Sequence, residues 1–202
     1  MSRSVAVLTV DQRSSRLGPD LVPATVDALS GVPMLLPFER TAGDEFQGVT
    51  DDPATLPRIV ERLLREDAWN IGIGIGVIDD PAPETARAGR GPAYLAAREA
   101  VTTAKGSPWH LRVCGEDPDV RSLETTLWLW AAVLGRRTER GWEVADLVDG
   151  ADSVLTYQEA AERLGVTQSA VSQRAQAAGI VEGRRARELA SALTARLLGQ
   201  DA

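Results

Sequence analysis

Isoleucine and glycine alternate over residues 71–76, and this alternation constrains the fold more than any other segment of the chain. Successive side chains of a strand point to opposite faces, so Gly72, Gly74 and Gly76 would all lie on one face. A face without side chains lets either a helix or a ligand approach the strand backbone closely. The spacing is not that of a dinucleotide-binding loop, because a strand continues through the glycines. We therefore predict a strand at Trp69–Val77 with one closely covered face.

Apolar patterning predicts further strands and helices on both sides of this segment. Strands are expected at 4–10, 34–40, 46–50 and 109–114, and helices at 19–30, from 52 onwards, and at 92–105. The order strand, helix, strand, strand, helix, strand, helix, strand is typical of a ferredoxin-like palm. We therefore predict an α+β fold in which an antiparallel sheet carries helices on one face.

The chain beyond this palm is predicted to be helical. A strong amphipathic pattern covers 122–137, and 155–200 has the pattern of several short helices. Thr156 and Glu159 have the spacing of a capping box, and Gly165 follows as a turn residue. A helix, a glycine turn and a second helix form the helix-turn-helix pattern. The predicted domains are a cyclase-like palm at 1–118, connecting helices at 119–150 and an all-α helix-turn-helix domain at 151–202.

Two tryptophans in the segment 122–137 bear on the oligomeric state. Trp130 belongs to the apolar stripe of this helix, whereas Trp128 points elsewhere. Tryptophans that lean outward from a helix are common in dimer interfaces, and packing within the same chain is the alternative. We expect a homodimer, with 119–150 as one candidate interface.

Two aspartates follow or lie between predicted strands. Asp11 ends an apolar strand, and Asp44 lies behind Gly43 in a predicted hairpin turn, with Glu45 next to it. Either aspartate alone is usually a strand cap or a turn residue. Packed side by side, two carboxylates repel each other, and a divalent cation relieves that repulsion. Mg²⁺ is therefore the expected cofactor, with Asp11, Asp44 and Glu45 as candidate ligands.

Five segments, taken in order, resemble a known family. They are 5–11, 40–46, 71–77, 91–94 and 96–99, with the sequences VAVLTVD, RTAGDEF, IGIGIGV, GPAY and AARE. This order resembles the catalytic domain of class III nucleotidyl cyclases and, more distantly, the GGDEF domain. The chain as a whole is similar to the SatD family of bacterial proteins, which also carries a C-terminal helix-turn-helix.

The cyclase resemblance implies roles for individual residues. Asp11 and Asp44 match the metal-binding aspartates. Arg98 matches the arginine that contacts phosphate in the transition state, so it is the candidate catalytic residue. Tyr94 stands where cyclases carry an asparagine, and Arg40 stands where many cyclases have a base-selecting lysine. These departures favour a domain that binds a nucleotide over an efficient cyclase.

A polar loop completes the predicted nucleotide site. Backbone amides and hydroxyls of residues 14–16 could cradle a phosphate, and a plain polar loop is the alternative. Arg98 also has an alternative role, a surface ion pair with Glu99 or Asp80. The candidate nucleotide-binding residues are Ser15, Arg16, Arg40, Gly43, Tyr94 and Arg98.

The second helix of the predicted helix-turn-helix has an outward polar face. Glutamine can pair with adenine, and serine and arginine can contact phosphate or guanine. The candidate DNA-binding residues are Gln168, Ser169, Ser172, Gln173, Arg174, Arg184 and Arg185, the last two as contacts to the DNA backbone. The alternative is a module for protein contacts, because acidic and basic residues balance in 151–202 and phosphate contacts supply most DNA affinity.

Charge and cysteine content argue against several classes of protein. The net charge is −7 and the acidic excess lies in 1–150, which disfavours a general nucleic-acid coat. Cys114 is the single cysteine and His110 the single histidine, so neither an internal disulfide nor a zinc site is expected, and His110 is predicted to be structural. Residues 1–20 lack a signal-peptide pattern, and no apolar run is long enough to span a membrane. We expect a cytoplasmic protein.

Together these patterns predict a DNA-binding transcriptional regulator whose cyclase-like domain senses a nucleotide with Mg²⁺. The alternative is a nucleotidyl cyclase-type phosphorus-oxygen lyase that acts on a nucleoside triphosphate, with the C-terminal helices as a partner or dimerisation module. A third alternative is an adaptor in which both sites are inactive, and retention of both Asp11 and Asp44 counts against it.

Overall fold

The computed structural model describes residues 4–16, 18–81, 83–150 and 154–200, and these form a mixed α+β structure. The described strands are β1 (Ser4–Gln12), β2 (Leu36–Ala42), β3 (Glu45–Thr50), β4 (Trp69–Val77) and β5 (Leu111–Cys114). The described α-helices are α1 (Val22–Leu29), α2 (Thr55–Glu66), α3 (Pro92–Ala104), α4 (Val120–Leu134), α5 (Glu139–Val148), α6 (Tyr157–Leu164), α7 (Gln168–Ala177) and α8 (Ile180–Leu197). Short 3₁₀ turns at Ala86–Ala88 and Pro108–His110 complete the list. The predicted α+β class is confirmed.

All of the described strands join one sheet, in the order β2-β3-β1-β4-β5. β1 pairs antiparallel with both β3 and β4, and β2 pairs antiparallel with β3. β5 instead runs parallel to β4, because α3 carries the chain back to the end of the sheet where β4 began. The prediction of a wholly antiparallel sheet is therefore wrong at its β5 edge.

Helices cover both faces of the sheet, and the prediction of helices on one face is wrong. Val5 and Val7 of β1 are buried in a cluster with α3. Ala6 and Leu8 point the other way and are buried with apolar residues of α1, α2, α4 and α8. A strand whose two faces are both apolar requires cover on both sides, so the unbroken apolar run of β1 is the physical reason.

The glycines of β4 lie directly beneath α3. A Cβ atom at Gly74 would overlap the carbonyl oxygen of Ala93 and the amide nitrogen of Ala97. A Cβ at Gly72 would come within 2.6 Å of the Val101 Cα atom. Of the two alternatives for the glycine face, close helix packing is the one observed, and α3 runs antiparallel to β4 across it.

The apolar cores do not follow the predicted domain boundaries at 118 and 150. Helices α4 and α8 contribute to the same core as the sheet, although they lie in the predicted connecting and C-terminal segments. A second, smaller core joins α5, α6 and α7 and includes Ile180 at the start of α8. The helical part is therefore anchored to the sheet through α4 and α8, and α5, α6 and α7 share the smaller core. Helix α5 also contacts α2 through the ion pair between Asp146 and Arg65.

Both tryptophans of α4 are engaged within the chain. Trp130 is completely buried in the main core, so of the two alternatives for it, packing within the same chain is the one observed. Trp128 is partly buried, and its Nε1 donates a hydrogen bond to the carbonyl oxygen of Leu111 at 2.8 Å. The exposed apolar residue of α4 is Leu129. None of the described helices has the length and apolar character needed to cross a lipid bilayer.

Candidate functional site

Four of the residues predicted to bind a metal ion or a nucleotide meet in one open cleft. Asp11, Ser15, Arg16 and Asp44 all line a cavity of about 780 Å³ at the end of β1, which we call the carboxylate cleft. Its further lining residues are Gln12, Arg13, Ser14, Asn70, Lys105 and His110. His110 lies in the 3₁₀ turn before β5 rather than in the strand where the sequence placed it.

Asp11 is held by neighbours from two elements. Asn70 lies directly opposite Asp11 in the β1–β4 ladder, and its Nδ2 donates a hydrogen bond to Asp11 Oδ2 at 3.0 Å. Lys105, just beyond the end of α3, brings its Nζ to 3.2 Å from the same oxygen. The charge of Asp11 is therefore balanced by an ammonium group of the same chain.

Three other predicted ligand residues do not line this cleft. The carboxylate of Glu45 accepts a hydrogen bond from the Thr41 hydroxyl at 2.6 Å. Arg40 forms an ion pair with Asp20 at 2.6 Å, and its Nε donates to the carbonyl oxygen of Gly43 at 2.6 Å. The Arg40 guanidinium also holds the pKa of the Asp20 carboxyl below its ordinary value. Arg40 and Gly43 thus stabilise the β2–β3 hairpin.

The carboxylate cleft offers a Mg²⁺ ion two carboxylates, those of Asp11 and Asp44. Among the described residues, no group of three or more histidine, cysteine, aspartate or glutamate side chains could hold a metal ion. Mg²⁺ in nucleotide sites is commonly bound by one or two carboxylates, with water and phosphate oxygens as the remaining ligands. Asp11 and Asp44 match that donor set, provided that the metal arrives with a phosphate and displaces Lys105 from Asp11.

Arg98 and Tyr94 lie in a different cleft from the two aspartates. They line a cavity of about 610 Å³ together with Arg87 and Arg90, and we call it the arginine cleft. Arg98 precedes Lys105 by seven residues, which corresponds to roughly 10 Å along a helix. Of the predicted nucleotide-binding residues, Ser15 and Arg16 therefore line one cleft and Tyr94 and Arg98 the other, while Arg40 and Gly43 line neither.

Tyr94 is the buried polar group of the arginine cleft. Its side chain is 8% exposed, and its hydroxyl has no hydrogen-bond partner. Burial, together with the negative charge of Glu39, raises the pKa of Tyr94 to about 12. The hydroxyl therefore stays protonated and remains a hydrogen-bond donor at neutral pH.

The outward face of α7 is polar and exposed. Gln168, Ser169, Ser172 and Gln173 are all exposed, and none of these side chains is hydrogen-bonded within the described residues. The inward face packs through Val171 and Ala175 against α5 and α6. The Thr167 hydroxyl caps the helix by accepting from the amide of Ala170. This face is available to a partner.

The basic residues near α7 differ in how free they are. Arg174 is half-buried, and Arg185 is exposed without an ion-pair partner in the described structure. Arg184 is bound by its Nε to Asp149 at 3.0 Å, so it is not free as the sequence suggested. Arg187 contacts both Asp149 and Glu61, which ties α8 to α2.

Lys105, Asn70, Arg87 and Arg90 were not among the predicted site residues. A helix rises 1.5 Å per residue and a strand about 3.3 Å, so a helix that runs back along Trp69–Val77 ends near the start of that strand. A helix that ends near the start of this strand would have placed Lys105 beside Asp11, which pairs with Asn70 there. Arg87 and Arg90 lie in a loop with no periodic pattern, and only their charge could have indicated them.

Comparison of the chain with protein-family models, with curated proteins and with solved structures gives no match.

Proposed function

We propose that this protein is a DNA-binding transcriptional regulator, with α6 and α7 as a helix-turn-helix. The observation that carries the proposal is the exposed polar face of α7, where Gln168, Ser169, Ser172 and Gln173 have no partner within the described chain. Glutamine and serine at successive turns of one helix face have the chemistry that reads base edges in the major groove.

The geometry of the turn supports the same proposal. Gly165 adopts a left-handed conformation with φ of +65° and ends α6, and α7 begins after Thr167. The small core of α5, α6 and α7 fixes the second helix against the first while leaving its polar face outside. Arg163, Arg174 and Arg185 are the basic side chains in this region with no ion pair in the described structure.

A charge-insertion experiment tests this proposal. A labelled random-sequence DNA duplex is titrated at low ionic strength with the wild type and with Ser169→Glu/Ser172→Glu, which adds two negative charges to the α7 face. The matched control, Ser122→Glu/Thr125→Glu, adds the same charge to exposed positions of α4. We expect binding by the wild type and the control and its loss in the α7 variant, because phosphate repels the added carboxylates. No binding by the wild type, or equal weakening in both variants, would contradict the proposal.

The N-terminal part is proposed to bind a nucleotide with Mg²⁺ in a ferredoxin-like, cyclase-related palm. The order β2-β3-β1-β4 is antiparallel throughout, with α1 and α2 packed in the same core, and this supports such a palm. Asp11, Asp44, Ser15 and Arg16 in one cleft support a metal-nucleotide site there. A nucleotide panel with and without Mg²⁺ tests it by thermal shift, since a ligand at 100 times its Kd adds about 2.7 kcal/mol of stability.

A nucleotidyl cyclase-type phosphorus-oxygen lyase is the second candidate function. It is favoured by the meeting of Asp11 and Asp44 in one cleft. Two observations make it the weaker candidate: Arg98 lines the other cleft, and the Tyr94 side chain is almost fully buried. Loss of one transition-state group costs roughly 10²–10³ in rate, so we expect weak or absent turnover. Rapid conversion of ATP or GTP to a cyclic product would reverse the order of the two candidates.

A cytoplasmic homodimer is part of the proposed regulator. Two copies would place two α7 helices about 34 Å apart along one DNA face and would double the few phosphate contacts of a near-neutral helical unit. The interface is not assigned to Trp128 and Trp130, because both are engaged within one chain. Sedimentation equilibrium measures the oligomeric state, and a monomer at all concentrations would contradict this part of the proposal.

A further inference from the structure

The arginine cleft gathers positive charge that the protein itself leaves unbalanced. Arg87, Arg90 and Arg98 are all exposed, and none forms an ion pair within the described residues. Asp79 also lines the cleft, but it is not within ion-pair distance of these arginines. About half of the other arginines of the described structure are paired, namely Arg13, Arg40, Arg62, Arg65, Arg112, Arg137, Arg184, Arg187 and Arg196. What distinguishes the cleft is that three arginines unpaired within the described chain line one cavity. Like charges in one cleft repel each other, and a bound anion relieves that repulsion.

A buried donor without a partner lies in the wall of the same cleft, behind Gly89. The Tyr94 side chain lines it, is 8% exposed, and carries a hydroxyl with no hydrogen bond. Buried polar groups are nearly always paired, so this unpaired hydroxyl is unusual. The hydroxyl oxygen is itself fully buried, so the three exposed guanidinium groups are the donors that an entering ligand meets first. Phosphate oxygens accept hydrogen bonds from both hydroxyl and guanidinium groups.

The loop that carries two of these arginines is fixed against α3. The Asp79 amide donates to the carbonyl oxygen of Arg90 at 3.0 Å, and Ala86, in the 3₁₀ turn beside Arg87, is completely buried. Gly89 lies against the Tyr94 ring so closely that a Cβ there would overlap the ring. Gly91 has a φ of +115°, which favours glycine. The cleft is therefore built into the fold rather than formed by loose side chains.

We propose that the arginine cleft binds the phosphate chain of a small polyphosphorylated ligand, at a site separate from the carboxylate cleft. Three guanidinium groups match the charge and the many acceptor oxygens of a di- or triphosphate. A volume of about 610 Å³ lies in the range of small-molecule sites. The exposed side chain of Leu95 at the cleft edge offers an apolar surface to the rest of such a ligand. Binding here needs no metal, since the protein supplies the positive charge.

The test uses the full chain in EDTA, with tripolyphosphate, ATP and GTP as probes in separate calorimetric titrations. The wild type is expected to bind tripolyphosphate. Arg87→Ala/Arg90→Ala is expected to bind it at least about tenfold more weakly, because each charge-assisted contact contributes to affinity. Arg136→Ala/Arg140→Ala removes two exposed arginines that are unpaired within the described structure and lie outside the cleft, and it should bind as the wild type does. Tyr94→Phe should weaken binding less than the double variant.

The probes also separate the sources of the phosphate. Tighter binding of ATP or GTP than of tripolyphosphate identifies a nucleotide, and tighter binding of tripolyphosphate identifies an inorganic polyphosphate. Failure to bind any of the three in EDTA, or equal weakening in both double variants, would overturn the proposal. Neither result bears on Mg²⁺-dependent nucleotide binding at the carboxylate cleft, which Asp44→Asn tests independently.

Discussion

The ammonium group of Lys105 lies 3.2 Å from the carboxylate of Asp11 and links the end of α3 to the end of β1. Lys105 is the only lysine in the chain. Its charge means that Asp11 is not simply one member of a repelling carboxylate pair with Asp44. A divalent cation at the carboxylate cleft must therefore compete with Lys105 for Asp11.

Replacement of Lys105 should strengthen Mg²⁺ binding. In Lys105→Met the competing ammonium is absent, and the carboxylates of Asp11 and Asp44 are left without a counter-charge from α3. We expect the midpoint of an Mg²⁺ titration, followed by thermal shift, to move several-fold lower than in the wild type. An unchanged or raised midpoint would count against a metal at this cleft.

Removal of either aspartate should abolish Mg²⁺-dependent nucleotide binding and leave the protein folded. Asp11→Asn loses the ion pair with Lys105, whose side chain is 60% exposed, so the cost in stability is about 0–1 kcal/mol. Asp44→Asn breaks no ion pair within the described residues, so it should cost no stability of this kind. Thermal shifts with nucleotide plus Mg²⁺ measure binding, and circular dichroism measures folding. A variant that binds as the wild type does would remove the metal site from the account.

Tyr94 should make the protein less stable at high pH. Its pKa is raised from 10.0 to about 12 in the folded state, so the unfolded chain loses this proton first. The contribution is fully present below about pH 10 and is lost as pH rises through about 12, with a total of about 3 kcal/mol. Urea unfolding at a series of pH values measures the free energy of unfolding. It should fall between about pH 10 and about pH 12 in the wild type and in Tyr157→Phe, but not in Tyr94→Phe. An identical slope in all three proteins would contradict the burial of Tyr94.

The glycines of β4 should differ in their tolerance of alanine. A Cβ at Gly74 would overlap backbone atoms of α3, whereas a Cβ at Gly76 would lie 3.3 Å from the amide nitrogen of Ala93. Gly74→Ala should therefore cost roughly 3 kcal/mol or more, because the helix must move, and Gly76→Ala should cost clearly less. Chemical denaturation measures both. Equal costs would mean that α3 does not pack on β4 as described.

The strand Trp69–Val77 and its bare face could be predicted from the sequence because strand periodicity fixes which side chains share a face. The position of β5 could not, since local patterning does not say at which sheet edge or in which direction a strand pairs. The same limit applies to α8, whose apolar side joins the sheet core rather than the core of α6 and α7. A helix pattern shows that one face is buried but not which partner buries it.

Part of the candidate site could likewise be predicted from the sequence, and part of it could not. The strand end at Asp11 and the hairpin turn at Asp44 could be predicted from the sequence, since both are local features. Their meeting in one cleft depends on the pairing of β1 with β3, and only the resemblance to cyclases suggested it. The separation of Arg98 from them depends on the path of α3 over the sheet, which a motif in linear order does not record. The ion pair of Arg184 with Asp149 likewise depends on how α8 packs.

Selection of binding sites from a random pool of DNA duplexes tests the central claim most directly. The wild type is expected to enrich a palindromic motif with half-sites about one helical turn, or 34 Å, apart. Gln173→Ala, run in parallel, should lose about 1–3 kcal/mol of discrimination at one base position, while Arg185→Ala should weaken all sequences alike. No enriched motif at low salt, or an identical motif and affinity with Gln173→Ala, would mean that α7 does not read DNA.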